Sequence, residues 1–166
     1  MNIDTIIVDN FLDKPDLVRS SVLTLPFKNT GSYPGCRTDA ADYDYQEMVR
    51  NKIESILNTK IIFRRDRDCF RFQLCLKGDQ TWIHKDGVEW AGVLFLTPDA
   101  PINSGTGIFN EDKKLVTMIG NVYNRLVLYR GDLFHRSMVP GFGTTVQDGR
   151  LTQVFFFDVD KSFEIL

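Results

Sequence analysis

The first sixty residues contain one strand-like and two helix-like patterns of apolar positions. The run from Ile3 to Val8 predicts a strand. In the next segment, Asp13 is a predicted helix N-cap and Pro15 stands in the first turn, where its missing N–H costs little. A short helix is therefore predicted to run to about Thr24. A second amphipathic helix is predicted from Tyr45 to Leu57, with one apolar stripe and a charged outer face.

The segment between the two helices, from Phe27 to Asp44, is rich in glycine, serine, proline and aspartate and predicts an ordered loop. Three of its acids, Asp39, Asp42 and Asp44, are of the residue type that calcium prefers. The segment lacks the glycine and the terminal glutamate of an EF-hand loop. These acids are therefore predicted to decorate the loop, near the entrance of a substrate site.

After Asn58 the apolar residues occur in short runs with the period of strands. The predicted strands are Ile61–Phe63, Phe70–Leu76, Gly92–Leu96, Ile108–Phe109, one or two segments between Met118 and Tyr129, and Leu151–Val159. The mixed charges from Arg64 to Asp68 indicate a solvated turn or an edge strand. Two helices followed by roughly six to eight strands predict an α+β fold, mainly β, built as an antiparallel sandwich or barrel. A single domain is expected, with a helical part over about residues 1–60 and a β core over about residues 61–160.

Composition narrows the class of protein. With 25% charged residues and a net charge of −2, the chain has no general electrostatic reason to bind nucleic acid. No apolar run approaches the roughly 20 residues that cross a bilayer, and the first residues lack a signal-peptide pattern. The three cysteines are irregularly spaced and predict free thiols in a reducing compartment, so a cytoplasmic protein without a membrane partner is expected.

Candidate chemistry is concentrated at the two histidines of the sequence. His84 and Asp86 follow the apolar run Trp82–Ile83, which indicates the end of a strand, where residues i and i+2 point to one face. His135 follows a second strand-like run, Leu126 to Tyr129. Two imidazoles and one carboxylate are the ligands of the facial triad that binds non-haem Fe(II) and leaves coordination positions open. The pattern predicts a metal site at His84, Asp86 and His135, called the triad below.

The ordered set His84-Lys85-Asp86, His135 and Arg150-Leu151-Thr152 resembles a known signature, the H-x-D … H … R-x-S/T pattern of the 2-oxoglutarate- and Fe(II)-dependent dioxygenases. The lead-in Val8-Asp9-Asn10-Phe11-Leu12 before a helix resembles that of prolyl-hydroxylase-like, phage or bacterial members. The catalytic resemblance covers about residues 70 to 158, and a weaker one covers the N-terminal part. It implies a double-stranded β-helix (a cupin-like jelly roll) with the two N-terminal helices packed outside the sheet.

By this resemblance, the triad holds a catalytic Fe(II) that works with 2-oxoglutarate and O2, with ascorbate as a further candidate cofactor. Arg150 would bind the remote carboxylate of 2-oxoglutarate through its planar fork, and Thr152 would add a hydrogen bond from the same strand face. Gln73 would make another polar contact to the cosubstrate. Fe(II), Asp86, 2-oxoglutarate and Arg150 sum to zero charge, which a buried site favours. The implied activity couples decarboxylation of 2-oxoglutarate to succinate and CO2 with hydroxylation of a substrate C–H bond.

The interval between His135 and Arg150 and the two tryptophans near the H-x-D turn lead to two further predictions. The interval from His135 to Arg150 is longer than in the resembled pattern, and the excess falls in the turn-forming segment Pro140–Thr145, which predicts an insertion. Trp82 and Trp90 flank the H-x-D turn and are expected either at the substrate mouth or in the core and rim.

Three functions remain open from the sequence. The first is an Fe(II)- and 2-oxoglutarate-dependent hydroxylase of a protein side chain or small molecule rather than of nucleic acid. Its specificity would lie in the loops Phe27–Asp44 and Ala100–Lys114. The second is a cupin-like metalloprotein that uses the triad without 2-oxoglutarate, and the third is a non-enzymatic β-sandwich with incidental histidines. Serine-nucleophile, phosphate-loop and dinucleotide motifs are absent from the sequence.

Overall fold

The computed structural model describes residues 4–29, 31, 33–139 and 141–163. Ile3, at the predicted start of the first strand, and Pro140, in the predicted turn, lie outside these ranges. The two α-helices are α1 (Pro15–Val22) and α2 (Tyr43–Leu57). The strands are β1 (Thr5–Val8), β2 (Cys36–Ala40), β3 (Ile61–Phe63), β4 (Arg71–Cys75), β5 (Trp90–Phe95), β6 (Thr106–Phe109), β7 (Leu115–Ile119), β8 (Leu126–Arg130), β9 (Phe134–Ser137) and β10 (Arg150–Val159).

The strands of the described residues form two sheets in which neighbours are antiparallel. The larger sheet has the order β1-β8-β5-β10-β4-β2, and β3 pairs with the C-terminal half of β10. The smaller sheet has the order β7-β6-β9. This arrangement confirms the predicted mainly β, α+β fold with antiparallel sheets. Strand β10 lies inside the larger sheet, between β5 and β4, so both of its edges are hydrogen bonded.

The two faces of β10 contact different parts of the protein because side chains alternate along a strand. Leu151, Phe155 and Phe157 have no exposed surface and belong to the main core. Val49 and Ile53 of α2 are also fully buried in that core, so the helices cover this face of the larger sheet. The opposite face of β10 is therefore directed away from the helices.

A second, smaller apolar cluster lies between the two sheets. Its buried members are Val88, Ala91, Phe95, Ile108, Ile119, Val127 and Tyr129. Ile108 and Ile119 come from the smaller sheet, and Phe95 and Tyr129 come from the larger one. The space between the sheets is thus partly filled by side chains, and the candidate site occupies another part of it.

One predicted loop contains a strand. The segment Phe27–Asp44 is not loop throughout, because Cys36–Ala40 forms β2 and pairs with β4. In that pairing Arg37 lies opposite Gln73. The composition of the segment has no strand period, so pairing with the edge of the sheet decides its conformation.

The starts of the helices differ from the predictions. The N-cap of α1 is Lys14, and no side chain caps this helix, so the predicted N-cap at Asp13 is wrong. Helix α2 begins at Tyr43, slightly before its predicted start. The reason is that Asp42 accepts a hydrogen bond from the backbone N–H of Tyr45 at 2.9 Å and thereby caps the first turn.

Three further features of the described residues bear on the sequence predictions. Arg65–Arg67 forms a 3-10 turn where the charge run predicted a turn. Cys36, Cys69 and Cys75 are free thiols, and burial raises the pKa of Cys69 to about 12. Within the described ranges, every helix is too short or too polar to span a bilayer.

Removal of the Phe155 ring is expected to lower the free energy of unfolding by about 3–5 kcal/mol. The ring is fully buried and packs edge-on against Phe70, with centroids 5.6 Å apart, so Phe155→Ala leaves a cavity in the core. Urea unfolding followed by circular dichroism measures the change. Tyr43→Ala is the matched control because Tyr43 is 64% exposed, and its effect should stay below about 0.5 kcal/mol. Equal losses in the two variants would contradict the assigned core.

Candidate metal centre

The loop that carries His84 and Asp86 is joined to the start of β9 by backbone hydrogen bonds. The His84 N–H donates to the His135 carbonyl at 3.1 Å, and the His135 N–H donates to the His84 carbonyl at 2.9 Å. The Asp86 N–H donates to the Gly131 carbonyl at 2.8 Å. The predicted strand at Trp82–Ile83 is wrong, because the contact is a single antiparallel bridge between the two histidines. That bridge, rather than a strand, aligns the H-x-D loop.

Both imidazole rings have the same hydrogen-bond arrangement. Nδ1 of His84 lies 3.0 Å from the carbonyl oxygen of Trp82, and Nδ1 of His135 lies 2.9 Å from that of Leu133. Because a carbonyl oxygen only accepts, Nδ1 carries the proton in each neutral ring. Each Nε2 therefore presents a lone pair. Metal-ligating histidines have this arrangement, in which the outer hydrogen bond selects the tautomer.

Asp86 lies between the two Nε2 atoms. Its Oδ2 is 3.1 Å from Nε2 of His135, and its Oδ1 is 3.7 Å from Nε2 of His84. One ligand atom from each residue lies within 4.8 Å of the other two. His135 is buried, whereas His84 and Asp86 are partly exposed. The structure therefore brings the predicted triad together, and two imidazoles with one carboxylate suit a divalent transition metal with open coordination positions.

The triad borders a cavity of about 400 Å³ between the two sheets. This volume lies in the range of small-molecule sites. Tyr129, Val154 and Phe156 of the larger sheet form part of the wall, and Thr106 and Arg136 of the smaller sheet form another part. The cavity therefore has apolar, aromatic and charged walls next to the three ligand groups.

The loops that were predicted to set specificity contribute unequally to this wall. The segment Phe27–Asp44 supplies Tyr33 and Arg37 among others, whereas Ala100–Lys114 supplies Thr106. The strand β2 brings the first segment to the cavity, because it adds to the edge of the larger sheet. The acidic part of that segment is not at the cavity.

Two of the three acids of that segment have structural contacts instead. Asp42 caps α2, and Asp39 pairs with Lys28 at 2.8 Å. Asp39, Asp42 and Asp44 are all absent from the cavity wall, so the expected place at its entrance is not found.

The two tryptophans near the H-x-D turn have different environments. Trp82 lines the cavity and is 47% exposed. Trp90 is buried and stacks parallel to Phe157, with ring centroids 6.5 Å apart. Trp82 therefore lies at the cavity, as one of the two expectations had it, and Trp90 lies in the core, as the other had it.

Tyr129 lies beside the candidate metal centre and was not predicted as a site residue. Its ring centroid lies 4.5 Å from that of His135. Burial raises the pKa of Tyr129 well above its usual value, and the nearby carboxylate of Asp86 raises it further. The phenol therefore stays protonated and neutral at physiological pH. The alternation of β8 could have indicated it, because Tyr129 shares a face with the buried Val127.

Arg150 and Thr152 lie on the cavity-side face of β10, together with Val154 and Phe156, as expected for alternate residues of one strand. Neither Arg150 nor Thr152 is among the residues that line the cavity. Arg150 is 3% exposed, and its Nε donates to the carbonyl of Ser104 at 3.0 Å. Within the described residues no carboxylate pairs with this guanidinium, and burial lowers its pKa. A buried guanidinium without a counter-charge favours binding of an anion.

Gln73 lies on β4, opposite Thr152 of β10. It lines the cavity, but its amide is already hydrogen bonded at both ends. Its Nε2 donates to the carbonyl of Pro34 at 2.7 Å, and its Oε1 accepts from Nη2 of Arg37 at 2.9 Å. In the structure Gln73 therefore holds the Arg37 side chain. A contact between Gln73 and 2-oxoglutarate stays a prediction.

The insertion before Arg150 forms a compact turn. The Lys77 N–H donates to the Gly143 carbonyl at 3.0 Å, which joins the turn to the segment after β4. Asp148 accepts from the backbone N–H groups of Thr144 and Thr145 at 3.0 and 2.7 Å. Strand β10 then begins at Arg150. The additional residues between His135 and Arg150 therefore lie in this turn, before β10 begins. Arg150 pairs with Cys75 of β4.

Comparison with solved structures finds this fold among oxygenases. A prolyl-4-hydroxylase from Pseudomonas putida has a TM-score of 0.60 at 16% identity, over 93% of this chain and 91% of that one. HygX from Streptomyces hygroscopicus, solved with nickel and 2-oxoglutarate bound, has a TM-score of 0.66 at 9% identity, over 93% and 82%. A 2OG-Fe(II) oxygenase-family oxidoreductase from Burkholderia pseudomallei has a TM-score of 0.64 at 14% identity, over 93% and 84%.

The sequence itself adds no relative to this comparison. No protein-family model matches the chain, and no curated protein matches it. The structural likeness, at 16% identity or less in these cases, concerns the fold. The chain therefore has the fold of the 2OG-Fe(II) oxygenases, which confirms the resemblance at that level.

Proposed function

We propose that this chain is a non-haem Fe(II)- and 2-oxoglutarate-dependent dioxygenase that hydroxylates its substrate. The observation that carries the proposal is the convergence of His84, Asp86 and His135, with both Nε2 atoms directed toward one carboxylate at a cavity. The likeness to oxygenase structures supports it. On the same grounds we assign the two sheets to a double-stranded β-helix.

The triad residues would act as the three protein ligands of Fe(II). Nε2 of each histidine donates a lone pair, and the hydrogen bonds at Nδ1 hold the rings in place. Asp86 would supply the single negative charge of the ligand set, and it borders the cavity in which a substrate would bind. When bound, Fe(II) with 2-oxoglutarate and O2 supplies the oxidative chemistry that yields succinate, CO2 and a hydroxylated product.

Arg150 would bind the remote carboxylate of 2-oxoglutarate. Its Nε is held by the Ser104 carbonyl, which leaves the terminal nitrogens for an anion. Thr152 is on the same face of β10 and 1% exposed, and its hydroxyl would add a hydrogen bond to the cosubstrate. The charges of the metal, Asp86, the cosubstrate and Arg150 balance, which lowers the cost of burying them.

The reaction outcome is part of the proposal. Among the proteins with a similar fold, one is a prolyl-4-hydroxylase and another, SnoN, is an epimerase that depends on α-ketoglutarate. We favour hydroxylation as the outcome. Mass spectrometry of the product tests it, because hydroxylation adds one oxygen atom whereas epimerisation leaves the mass unchanged. We further propose that the protein acts in the cytoplasm, where its three free thiols remain reduced.

Binding of both cofactors is tested by titration of the metal-free protein without O2. One equivalent of Fe(II) is added first and 2-oxoglutarate second, and a weak visible charge-transfer band should appear only after the second addition. The band reports direct contact between the metal and the cosubstrate. Bound iron without a band would reject the 2-oxoglutarate part of the proposal, and absence of stoichiometric metal would reject the whole.

A further inference from the structure

Ion pairs connect five charged side chains from the surface to the cavity wall. Lys28 pairs with Asp39 at 2.8 Å, and Asp39 lies 3.7 Å from Arg71. Arg71 also pairs with Asp68 at 3.0 Å, and Asp68 lies 3.6 Å from Nη1 of Arg37. This ion-pair chain holds three cations and two anions. It therefore has one positive charge in excess.

The excess charge lies at Arg37, the inner end of the ion-pair chain. Asp68 is nearer to Arg71 than to Arg37, and its separation from Arg37 exceeds hydrogen-bond length. The Arg37 side chain is only 10% exposed and lines the cavity. Burial lowers the pKa of Arg37, and the negative charge of Asp68 offsets this effect only in part. A counter-charge inside the cavity would relieve this cost.

The Arg37 guanidinium is held in one orientation by neutral groups. Its Nη2 and Nε donate to Oε1 of Gln73 at 2.9 and 3.3 Å. Its plane lies over the ring of Tyr33, with the central carbon 4.0 Å from the ring centroid. Gln73 is fixed in turn by the carbonyl of Pro34. These contacts orient the guanidinium without neutralising it, which is the condition for a binding group that is prepared before its ligand arrives.

Another arginine of the cavity wall is already balanced. Arg67 lies 3.8 Å from Asp66, and Asp66 pairs with Arg64 at 3.0 Å. Arg64 also pairs with Asp158 at 3.1 Å. This second group holds two cations and two anions, so its net charge is zero. Arg67 is therefore a natural control for Arg37, because both are cavity arginines and only one carries an excess charge.

We propose that Arg37 binds a carboxylate of the substrate, so that the substrate is a small molecule with a single acidic group. The claim that the bound molecule reacts at the metal centre rests on the proposed oxygenase function. Arg37 and the triad share one cavity of about 400 Å³, so a molecule held at Arg37 places a C–H bond near the metal centre. One carboxylate matches the single excess charge of the ion-pair chain. Arg136 of the same wall also has no ion pair among the described residues, and it lies over the ring of Phe109. A phosphate dianion would instead exceed the single excess charge, beside Asp66 and Asp68 in the same wall.

The test compares two fluorinated probes of nearly equal shape, 4-fluorobenzoate and 4-fluorobenzamide. Their binding is followed by 19F NMR on protein saturated with Mn(II) and 2-oxoglutarate in the absence of O2. We expect the benzoate to bind roughly 10- to 100-fold more tightly than the benzamide, since a charge-assisted hydrogen bond is lost in the amide. Mn(II) should also broaden the benzoate signal, because the probe lies in the cavity that the metal borders.

Replacement of single cavity arginines by glutamine tests which residue causes the preference for benzoate over benzamide. In Arg37→Gln the preference for benzoate should disappear, while Arg67→Gln should retain it. Loss of the preference in Arg67→Gln or Arg136→Gln, with retention in Arg37→Gln, would overturn the assignment. The wild-type comparison stands even if Arg37→Gln fails to fold, because equal binding of the two probes by the wild-type protein would already contradict the proposal.

The failure of this inference is distinguishable from failure of the proposed function. Uptake of Mn(II) and 2-oxoglutarate is measured in the same samples, and absence of both rejects the oxygenase. In that case the two probes are compared on metal-free Arg150→Ala protein. This variant lacks the buried guanidinium of β10, so Arg150 cannot bind the benzoate in place of Arg37. A benzoate preference there supports the Arg37 site independently, and its absence rejects it.

Discussion

Replacement of His135 by alanine is expected to abolish stoichiometric Fe(II) binding and the succinate formation that depends on it. His135 would supply one of the three protein ligands, and its Nε2 lies 3.1 Å from Oδ2 of Asp86. Loss of an outer hydrogen-bond partner typically lowers metal affinity by roughly 10–100-fold, so loss of the ligand itself should lower it by more. Isothermal titration with Mn(II), and metal analysis of protein reconstituted without O2, measure the change.

The matched control for His135→Ala is Asp132→Asn. Asp132 is an exposed acid in the same segment, and it is outside the triad. This variant should bind metal like the wild type. Circular dichroism should show a folded protein in both cases, because the bridge between residues 84 and 135 uses backbone atoms that alanine retains. Stoichiometric iron in folded His135→Ala would refute the assigned centre.

Replacement of Arg150 by alanine is expected to weaken 2-oxoglutarate binding by roughly 30- to 4000-fold while the metal still binds. Truncation of one partner of a buried, hydrogen-bonded charge pair typically costs about 2–5 kcal/mol, which corresponds to that range. Arg150 is 3% exposed, so the carboxylate of the cosubstrate would be left without a partner in a dry environment. Titration of 2-oxoglutarate into the Fe(II) protein without O2 measures the dissociation constant.

Arg130→Ala is the control for this prediction. Arg130 is the last residue of β8 in the larger sheet, as Arg150 is the first residue of β10. Arg130 pairs with Glu89 at 3.2 Å and stacks on Trp90, so it already has its counter-charge. Its removal should leave 2-oxoglutarate affinity unchanged. If Arg150→Ala likewise binds 2-oxoglutarate with wild-type affinity and retains metal, Arg150 is not the residue that binds the remote carboxylate.

Local patterns in the sequence predicted much of the site. The two-residue period of a strand correctly placed Arg150 and Thr152 on one face of β10. The pairing of a histidine with a carboxylate two positions later, together with a distant second histidine, correctly indicated three groups that meet. These predictions needed only residue type and spacing, which is why they were available before the fold was known.

Other features depended on contacts between segments far apart in the chain. Strand β2 lies in a segment without a strand period and forms because β4 offers it an edge. The H-x-D loop is aligned by hydrogen bonds to β9 rather than by a strand at Trp82–Ile83. The excess charge at Arg37 appears only when the ion pairs along the edge of the larger sheet are traced.

The amino-acid sequence alone indicated the two helices, most strands of the β core, and the chemical types of the candidate metal ligands. These are local properties, because side-chain chemistry and strand period do not require a partner. The tertiary structure alone decided that the backbones at residues 84 and 135 form a bridge, and which arginines keep an unbalanced charge. Both depend on distances across the fold, and the spacing of residues along a chain does not contain those distances.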